Sequence, residues 1–143
     1  MLETHSGRIF GVGTDLVEVA RIERAWQRWG ERFPGHLLME AEWREFRRTR
    51  RPVRYLAMRF AAKEALVKAL GTGFRQGMWL REVGCCQASS GKPLALFSAK
   101  GDRIRAERGA GAAEISLTDE AGLVVAFAVM ERADPEGESR AAD

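Results

Sequence analysis

Apolar residues recur at helical spacing in the first half of the chain and at strand spacing in the second half. A short apolar segment at 8–13 ends in two glycines, which predicts a strand that runs into a tight turn. Thr14 and Asp15 follow, and either side chain can cap a helix. The pattern extends that helix over 16–33, so Asp15 is predicted at a strand-to-helix junction.

Two further helices are predicted before the strands begin. The first covers 41–48 and turns Trp43 and Phe46 inward. The second begins at Pro52, whose missing N–H is not needed in a first helical turn, and runs to Leu70. Gly71 then suits the helix C-terminus, where a glycine adopts the left-handed conformation without strain.

The pattern changes to strands beyond Gly73. The predicted elements are strands at 83–88 and 94–97 around a turn at 89–93, a polar helix at 102–108, and a hairpin of 114–117 with 123–130 that turns at 119–122. Early helices and late antiparallel strands indicate an α+β fold, with the helices packed on the sheet. We expect one domain over 1–132 and a disordered polar tail over 133–143.

Composition limits the setting of this domain. The chain has 143 residues, 45% of them apolar and 30% charged, which is typical of a globular protein. No apolar run approaches the roughly 20 residues of a membrane span, and the N-terminus lacks a secretory signal, so we predict a cytoplasmic protein without membrane contact. Cys85 and Cys86 are adjacent in an apolar stretch, and we interpret them as small core residues.

Positive charge is concentrated in one part of the chain. The net charge is only +3, but the segment from Arg21 to Arg81 contains fifteen Arg or Lys and six Asp or Glu. This surplus suggests an acidic partner or a phosphate-rich ligand. A solvated helical surface explains it equally well.

The first predicted helix carries two stripes of side chains about a quarter-turn apart. One stripe is apolar and is expected in the core: Ile22, Trp26, Trp29 and Phe33. The other is basic: Arg21, Arg24, Arg28 and Arg32. An exposed arginine face of this kind is often without function, but its regularity makes it a candidate binding surface.

The segment 59–68 (RFAAKEALVK) is the richest in candidate chemistry. Arg59 and Lys63 are four residues apart, and so are Glu64 and Lys68, so each pair shares one side of the helix. Small alanines between them allow a ligand or another backbone to approach. The simplest interpretation is a surface helix stabilised by a Glu64–Lys68 pair, worth a few tenths of a kcal/mol.

The functional interpretation joins Glu64 to Asp15. Magnesium prefers one or two carboxylates together with water and substrate phosphate oxygens. If the fold brings Asp15 and Glu64 together, Arg59, Lys63 and Lys68 can surround phosphates bridged by that ion. Spacing alone does not show that these residues converge.

Four motifs closely resemble those of bacterial holo-[acyl-carrier-protein] synthases, the short 4′-phosphopantetheinyl transferases. They are GVGTDLVEV at 11–19 with Arg21-Ile22, RFAAKEA at 59–65 with KALGTG at 68–73, GKP at 91–93, and ISLTDE at 115–120. They occur in the family's order and span roughly 9–131. The resemblance therefore implies the fold of these transferases.

The resemblance also implies an activity. Asp15 and Glu64 are similar to the family's magnesium ligands, and the ion would bridge the pyrophosphate of coenzyme A. A serine of the acyl carrier protein would attack the phosphorus that bears the pantetheine arm, releasing adenosine 3′,5′-bisphosphate, as a step of fatty acid biosynthesis. Glu64 would also help to take the serine proton through a water, and Lys68 would balance charge on the transferred phosphate.

Further site residues follow from the same resemblance. Those expected to bind the phosphates of coenzyme A are Arg59, Lys63, Lys68, Gly71 and Lys92. Those expected to receive the acidic carrier protein are Arg21, Arg24, Arg28 and Arg32. The short members of the family are typically homotrimers with active sites between subunits, so we expect a homotrimer here.

Some questions stay open at this point. Asp119 stands where many members carry histidine; we assign it no catalytic role and interpret it as a turn residue that accepts backbone N–H bonds. The alternative function is a basic nucleic-acid-binding module without catalysis, which the isoelectric point near 9.2 allows. No recognisable nucleic-acid motif supports it, so we predict no nucleic-acid partner. The preferred carrier protein cannot be read from one side of the interface.

Overall fold

Residues 7–134 are described here from a computed structural model. In this part of the chain the elements are β1 (Ile9–Glu18), α1 (Val19–Trp29), α2 (Arg32–Leu37), α3 (Glu40–Phe46), α4 (Pro52–Leu70), β2 (Val83–Gln87), β3 (Pro93–Phe97), α5 (Ala99–Glu107), β4 (Ala110–Glu120) and β5 (Leu123–Arg132). The predicted tail lies mostly outside the described residues, and the single domain over 1–132 stays a prediction.

The strands form two separate antiparallel groups. A three-stranded sheet has the order β1–β5–β4, so the last strand among the described residues lies in its centre, and β2 pairs with β3. One face of the larger sheet packs against α4 and forms the core. The prediction of an α+β fold with helices packed on an antiparallel sheet is confirmed.

Helix α4 is the central element of this core. It runs over Pro52–Leu70 as predicted and ends at Gly71, whose φ of 85° lies in the left-handed region. Thirteen of its nineteen residues are buried, since its apolar side chains face several directions. The interpretation of its middle as a surface helix is therefore wrong.

The first strand differs from the prediction, because Gly11 and Gly13 lie within it and do not form a turn. β1 continues through them to Glu18, and α1 begins only at Val19, so Asp15 lies within a strand and not at a helix start. A Cβ built at Gly11 would overlap the carbonyl oxygen of Ala69, and one at Gly13 would overlap that of Ala65. The glycines thus allow the backbone of α4 to contact β1.

The long first helix is also interrupted. α1 ends at Trp29, because Gly30 has a φ of 56° and leaves the helical conformation. Phe33 and Arg32 therefore belong to α2. Ile22 is buried as predicted, but Trp29 is 52% exposed, so the apolar stripe does not lie wholly in the core.

The other elements agree with the prediction to within a few residues. α3, the β2–β3 hairpin and α5 lie where they were expected, and α5 begins earlier because Ser98 Oγ caps it by accepting the N–H of Gly101. The last hairpin turns at Ala121 and Gly122. Cys85 is buried as expected, whereas Cys86 is half-buried, and both thiols are free. Burial raises the pKa of Cys85 to about 11, so its thiol stays protonated at neutral pH.

The larger sheet leaves an apolar surface on the side away from α4. Leu16 pairs with Val125, and Phe127 follows two residues later on the same face of β5. These residues and Val12 are 38–61% exposed. We call Val12, Leu16, Val125 and Phe127 the outer sheet face. These adjacent exposed apolar residues form a candidate interaction surface.

In the part of the chain that the structure describes, no helix is both long and apolar enough to cross a membrane. The cytoplasmic location stays a prediction.

The close packing of β1 on α4 can be tested at Gly13. We expect Gly13→Ala to lower the free energy of unfolding by about 1–3 kcal/mol or more, because the new Cβ meets a helix carbonyl that cannot move independently. Urea denaturation measures this change. Gly35→Ala is the matched control, since no atom of the described residues lies within 4 Å of a Cβ there, and it should be neutral or stabilising. Equal effects of the two substitutions would contradict the packing argument.

Candidate active site

Asp15 lies on the face of β1 that meets α4. Its cross-strand partner in β5 is the buried Ala126, so both side chains lie on the core face of the sheet. Lys68 of α4 donates from Nζ to Asp15 Oδ1 at 3.2 Å and to the carbonyl oxygen of Thr14 at 3.0 Å. Asp15 Oδ2 is buried and has no hydrogen-bond partner among the described residues. One carboxylate oxygen is therefore left for a further ligand.

Glu64 lies one helical turn before Lys68 and is half-buried. Burial raises the pKa of Glu64, and the negative charge of Asp15 raises it further, while Lys68 and Arg21 oppose the shift. These four charged groups are therefore close enough to interact. The structure brings the two predicted metal ligands together, although they are 49 positions apart in the sequence.

The two carboxylates fit a magnesium ion. A buried carboxylate oxygen without a partner is costly, and a cation that bridges Asp15 and Glu64 would remove both this cost and their mutual repulsion. Among the described residues no cluster of three or more His, Cys, Asp or Glu could hold a metal. A pair of carboxylates is sufficient for magnesium, which keeps several water or phosphate ligands.

Lys63 does not lie where the sequence predicted. Its side chain is 0% exposed, and its Nζ donates to Glu42 Oε1 at 2.6 Å and to the carbonyl oxygens of Leu80 at 2.8 Å and Val83 at 2.6 Å. Burial lowers the pKa of Lys63, and Glu42 opposes this shift. All three ammonium donors are used within the protein, so the prediction that Lys63 binds a phosphate is wrong.

Arg59 is also directed inward. It is 4% exposed, donates from Nη2 to Glu45 Oε1 at 3.0 Å, and stacks 4.3 Å from the ring centroid of Tyr55. Its side chain shares the buried side of α4 with Lys63, because the two are four residues apart. The open helix face expected for Arg59 is therefore wrong, because the residue is buried and paired with Glu45. Arg59 still lines the cavity beside Asp119, and its role as a phosphate ligand stays a prediction.

Two further predicted phosphate ligands, Gly71 and Lys92, lie apart from Arg59 and Lys63. Gly71 forms the exposed left-handed end of α4. Lys92 is exposed in the β2–β3 turn, where its Nζ lies 3.1 Å from Glu114 Oε2. Both stay predictions as coenzyme A contacts.

The predicted arginine face is exposed. Arg21, Arg24 and Arg28 lie on α1 at helical spacing, and Arg32 begins α2 beyond the bend at Gly30. Arg21 also lies 5.9 Å from the ring centroid of Phe60 on α4, which places one end of this face beside Glu64. The face and the candidate metal site are therefore contiguous.

A second charged feature was missed from the sequence. Asp119 lies within β4 and not in a turn, and its two oxygens accept bonds of 2.7 Å from Nε and Nη2 of Arg54. The bond from Arg54 lowers the pKa of Asp119. The pair borders a cavity of about 590 Å³ that Arg48 and Arg59 also line. The arginine-rich segment 47–54 was a signal for this site, but composition did not localise it.

The profile of the 4′-phosphopantetheinyl transferase superfamily matches residues 11–128. The chain belongs to this superfamily. The matched span includes both candidate metal ligands and the whole arginine face of α1.

Named relatives of this transferase agree. The holo-[acyl-carrier-protein] synthase of Nitrosospira multiformis is 41% identical over 124 residues, which cover 87% of this chain and 99% of that protein. The corresponding protein of Photorhabdus laumondii is 40% identical over 124 residues, with 87% and 98% coverage.

Solved structures of the superfamily share the fold of this transferase. The holo-[acyl-carrier-protein] synthase of Neisseria meningitidis aligns with a TM-score of 0.83 at 40% identity and covers 87% of this chain and 99% of that one. A synthase from Bacillus anthracis, solved in complex with CoA (3′,5′-ADP), aligns with a TM-score of 0.72 at 27% identity, with 89% and 100% coverage. The resemblance read from the sequence motifs is confirmed.

The raised pKa of Glu64 leads to a pH-dependent prediction. In metal-free protein, the carboxyl of Glu64 should titrate above its ordinary value near 4.5, because burial and Asp15 both disfavour its charge. Asp15→Asn removes one of these causes and should lower the titration midpoint. Since a ligand must be deprotonated, magnesium should bind more weakly as the pH falls through this midpoint. NMR of the side-chain carboxyl carbons measures both effects.

The control for this titration is Asp119→Asn, which changes a carboxylate in the other cavity and should leave the midpoint of Glu64 in place. A midpoint that does not move in Asp15→Asn would show that Asp15 and Glu64 are too far apart to share an ion.

Proposed function

We propose that this transferase moves 4′-phosphopantetheine from coenzyme A to a serine of apo acyl carrier protein, giving the holo carrier and adenosine 3′,5′-bisphosphate, in fatty acid biosynthesis. The observation that carries the proposal is the buried, unpartnered oxygen of Asp15 beside Glu64 and Lys68. Relatives with about 40% identity over nearly their whole length are named holo-[acyl-carrier-protein] synthases, which supports the same conclusion.

Asp15 and Glu64 would hold a magnesium ion. When bound, the ion would neutralise charge on the pyrophosphate of coenzyme A and so favour departure of the bisphosphate. Asp15 offers Oδ2, and Glu64 offers its partly buried carboxylate. The identity of the metal and its use by this chain rest on the donor set and on the resemblance.

Lys68 and Glu64 would serve the reacting groups directly. A bond forms between the serine oxygen and the phosphorus that carries the pantetheine arm, and the bond from that phosphorus to the bisphosphate oxygen breaks. Lys68 is half-exposed and its ammonium can balance charge on the phosphates. Glu64 accepts the serine proton through a water, and its raised pKa makes it a stronger base than an ordinary carboxylate.

The phosphates of coenzyme A would extend beyond these residues. Arg59, Gly71 and Lys92 are kept as proposed contacts, since Arg59 lines the cavity beside Asp119, whereas Lys63 is fully buried and not available. The cavity beside Asp119 is lined by Arg48 and Arg54, and guanidinium groups suit phosphate recognition.

The acidic carrier protein would bind to the arginine face. Arg21, Arg24, Arg28 and Arg32 are exposed, and an array of this kind increases the rate of encounter with an acidic partner. The position of Arg21 beside Glu64 would bring the carrier serine to the metal site. Which carrier is preferred depends on a surface that this chain does not contain.

A homotrimer is the proposed assembly. The outer sheet face carries Val12, Leu16, Val125 and Phe127 in adjacent positions, which a solitary small domain would leave in water. Contact with further copies of the chain would bury them. In the short members of the family the active sites typically lie between subunits. This agrees with an outer sheet face that includes Leu16, the residue next to Asp15.

The alternative of a basic nucleic-acid-binding module has no support. Part of the positive segment consists of the buried ion pairs of Arg59 and Lys63 and of the proposed docking face.

The transfer itself is tested by mass spectrometry of an apo carrier protein incubated with the transferase, magnesium and coenzyme A. We expect the carrier to gain the mass of one phosphopantetheine. Asp15→Asn and Glu64→Gln should each reduce the rate on the order of 100-fold or more, because each removes charge stabilisation at the phosphate. Asp102→Asn, a carboxylate exchange on the exposed face of α5, should keep the wild-type rate. A carrier that gains no mass with folded wild-type protein would refute the proposal.

Docking is tested at Arg28, because Arg21 also influences Glu64. Arg28→Glu should raise the KM for the carrier protein, mainly through slower association, and leave the affinity for coenzyme A nearly unchanged. Steady-state kinetics and calorimetry separate the two. Equal losses for both substrates would mean that the arginine face is not a separate docking surface.

The trimer is tested by Val125→Glu, which places a charge in the centre of the outer sheet face. We expect light scattering after gel filtration to give trimers for the wild type and monomers for this variant, since a buried charge is costly. Ala106→Glu on exposed α5 is the control and should stay trimeric. A monomeric wild type, or a trimeric Val125→Glu, would rule out this interface.

A further inference from the structure

The buried pair of Lys63 and Glu42 connects three segments of the chain. Glu42 belongs to α3 and is 0% exposed, and its Oε1 accepts the backbone N–H of Met39 at 2.9 Å as well as the ammonium of Lys63. Its Oε2 accepts the backbone N–H of Cys85 at 3.1 Å. Lys63 of α4 holds two further carbonyl oxygens, of Leu80 and Val83. The pair thus ties α3 and α4 to the segment that leads into β2.

Gly84 shows how closely these segments approach. A Cβ at this position would lie 2.7 Å from Met39 Sδ and 2.8 Å from Glu42 Oε2. The backbone of β2 can therefore contact the Glu42 carboxylate only because Gly84 has no side chain. This approach fixes the start of β2 against α3, and the bonds from Lys63 to the carbonyl oxygens of Leu80 and Val83 tie the preceding segment, Trp79 to Glu82, to α4.

Those residues form one wall of a cavity of about 750 Å³ next to Glu64. Phe60 and Glu64 of α4 also line it, as does Met39 at the start of α3. The wall held by Lys63 presents Trp79 and Leu80, so apolar side chains line most of this space. The buried pair therefore bonds to segments that supply several of the lining residues, while His36, Phe74 and Ser98 complete the lining. The volume is in the range of sites that bind small molecules.

The charges at this cavity disfavour a polyphosphate. Its charged side chains include three carboxylates, on Glu40, Glu64 and Glu82, against one guanidinium, on Arg81. The cavity beside Asp119 has the opposite character, with three arginines against two carboxylates. A ligand with one anionic half and one uncharged half would therefore place its uncharged half beside Glu64.

A purely stabilising role is a weak explanation of the buried pair. The desolvation of two charges offsets most of their attraction, and apolar residues of similar volume usually serve stability as well. What apolar residues would not supply is the fixed position of the Leu80 and Val83 carbonyl groups. The pair is best explained by the geometry that it imposes.

We propose that Lys63 and Glu42 are positioning residues, which hold the Trp79–Glu82 segment as the wall of a pocket for the uncharged pantetheine arm of coenzyme A. This inference rests on the proposed function, since it names the place of one half of that substrate. The arm carries a dimethyl group and two amides, is attached to the phosphate at the metal site, and enters the cavity that begins at Glu64. Lys63 acts through the wall and does not contact the substrate.

The test compares coenzyme A with adenosine 3′,5′-bisphosphate, which lacks the arm. Calorimetry in the presence of magnesium measures both affinities for the wild type, for Trp79→Ala, and for the double variant Glu42→Gln/Lys63→Met, which leaves no isolated buried charge. We expect each change to weaken coenzyme A about tenfold, a loss of 1.4 kcal/mol, with the affinity for the bisphosphate changed less than about twofold. The kcat at saturating coenzyme A should stay near that of the wild type.

Two further variants complete the design. Trp29→Ala is the control, because Trp29 is 52% exposed and Trp79 is 54% exposed, but Trp29 lies on α1 and does not line this cavity. It should bind coenzyme A normally. Adding Trp79→Ala to the double variant should cause little further loss, because both changes remove the same wall. A purely structural role for the pair would give additive losses.

Several outcomes would overturn the inference. Unchanged affinity for coenzyme A in folded Trp79→Ala, or equal losses for coenzyme A and the bisphosphate, would mean that the arm lies elsewhere. A rise only in the KM for the carrier protein would assign the cavity to the carrier. Circular dichroism shows whether the double variant folds. If it does not, Leu80→Ala replaces it as the second wall variant. If Trp79→Ala and Leu80→Ala then both bind coenzyme A as tightly as the wild type does, the pocket is refuted. Failure of the proposed function is distinct, because the wild type itself would then transfer nothing.

Discussion

The contact between β1 and α4 is the constraint on which the rest of the molecule depends. Gly11 and Gly13 let a strand lie directly against the carbonyl groups of a helix, at positions where any side chain would collide with the backbone. Because the approach is so close, Asp15, two residues after Gly13, lies within bonding distance of Lys68. Asp15 in a strand and Lys68 in a helix thus belong to one site that is built on regular elements and not on a loop.

The same helix separates the buried charges of Arg59 and Lys63 from the charges of the candidate site by their angular position. Arg59 and Lys63 lie on the side of α4 that faces α3 and β2, and each finds a glutamate there. Glu64 and Lys68 lie about 100° further round, toward β1 and the arginine face. The sequence RFAAKEALVK therefore contains two i, i+4 pairs of similar appearance with different surroundings.

Sequence reasoning succeeded where the signals were local. The ends of α4 follow from Pro52 and Gly71, and the β2–β3 hairpin from its turn residues. Asp15 and Glu64 were predicted as the candidate metal ligands because each lies in a motif that resembles those of the family. It failed where a residue's role depends on a distant partner: Glu42 is 21 positions from Lys63, and Asp119 is 65 from Arg54. The prediction of a tight turn at Gly11 and Gly13 was wrong for the same reason. These glycines are needed because of the backbone of α4, which is distant in the sequence, and not because of a turn in the neighbouring residues.

The two lysines of α4 differ in what their ion pairs can do. The pair of Lys63 with Glu42 is fully buried and every ammonium donor is used, so breaking it would leave charges and carbonyl groups without partners. The pair of Lys68 with Asp15 is looser, at 3.2 Å, and the lysine side chain is 49% exposed. Water can replace its bonds at low cost, so Lys68 would be able to turn from Asp15 to a phosphate if a cation took its place on the carboxylate. The proposed transfer would use both kinds of pair, one to fix the geometry and one to exchange partners during the reaction.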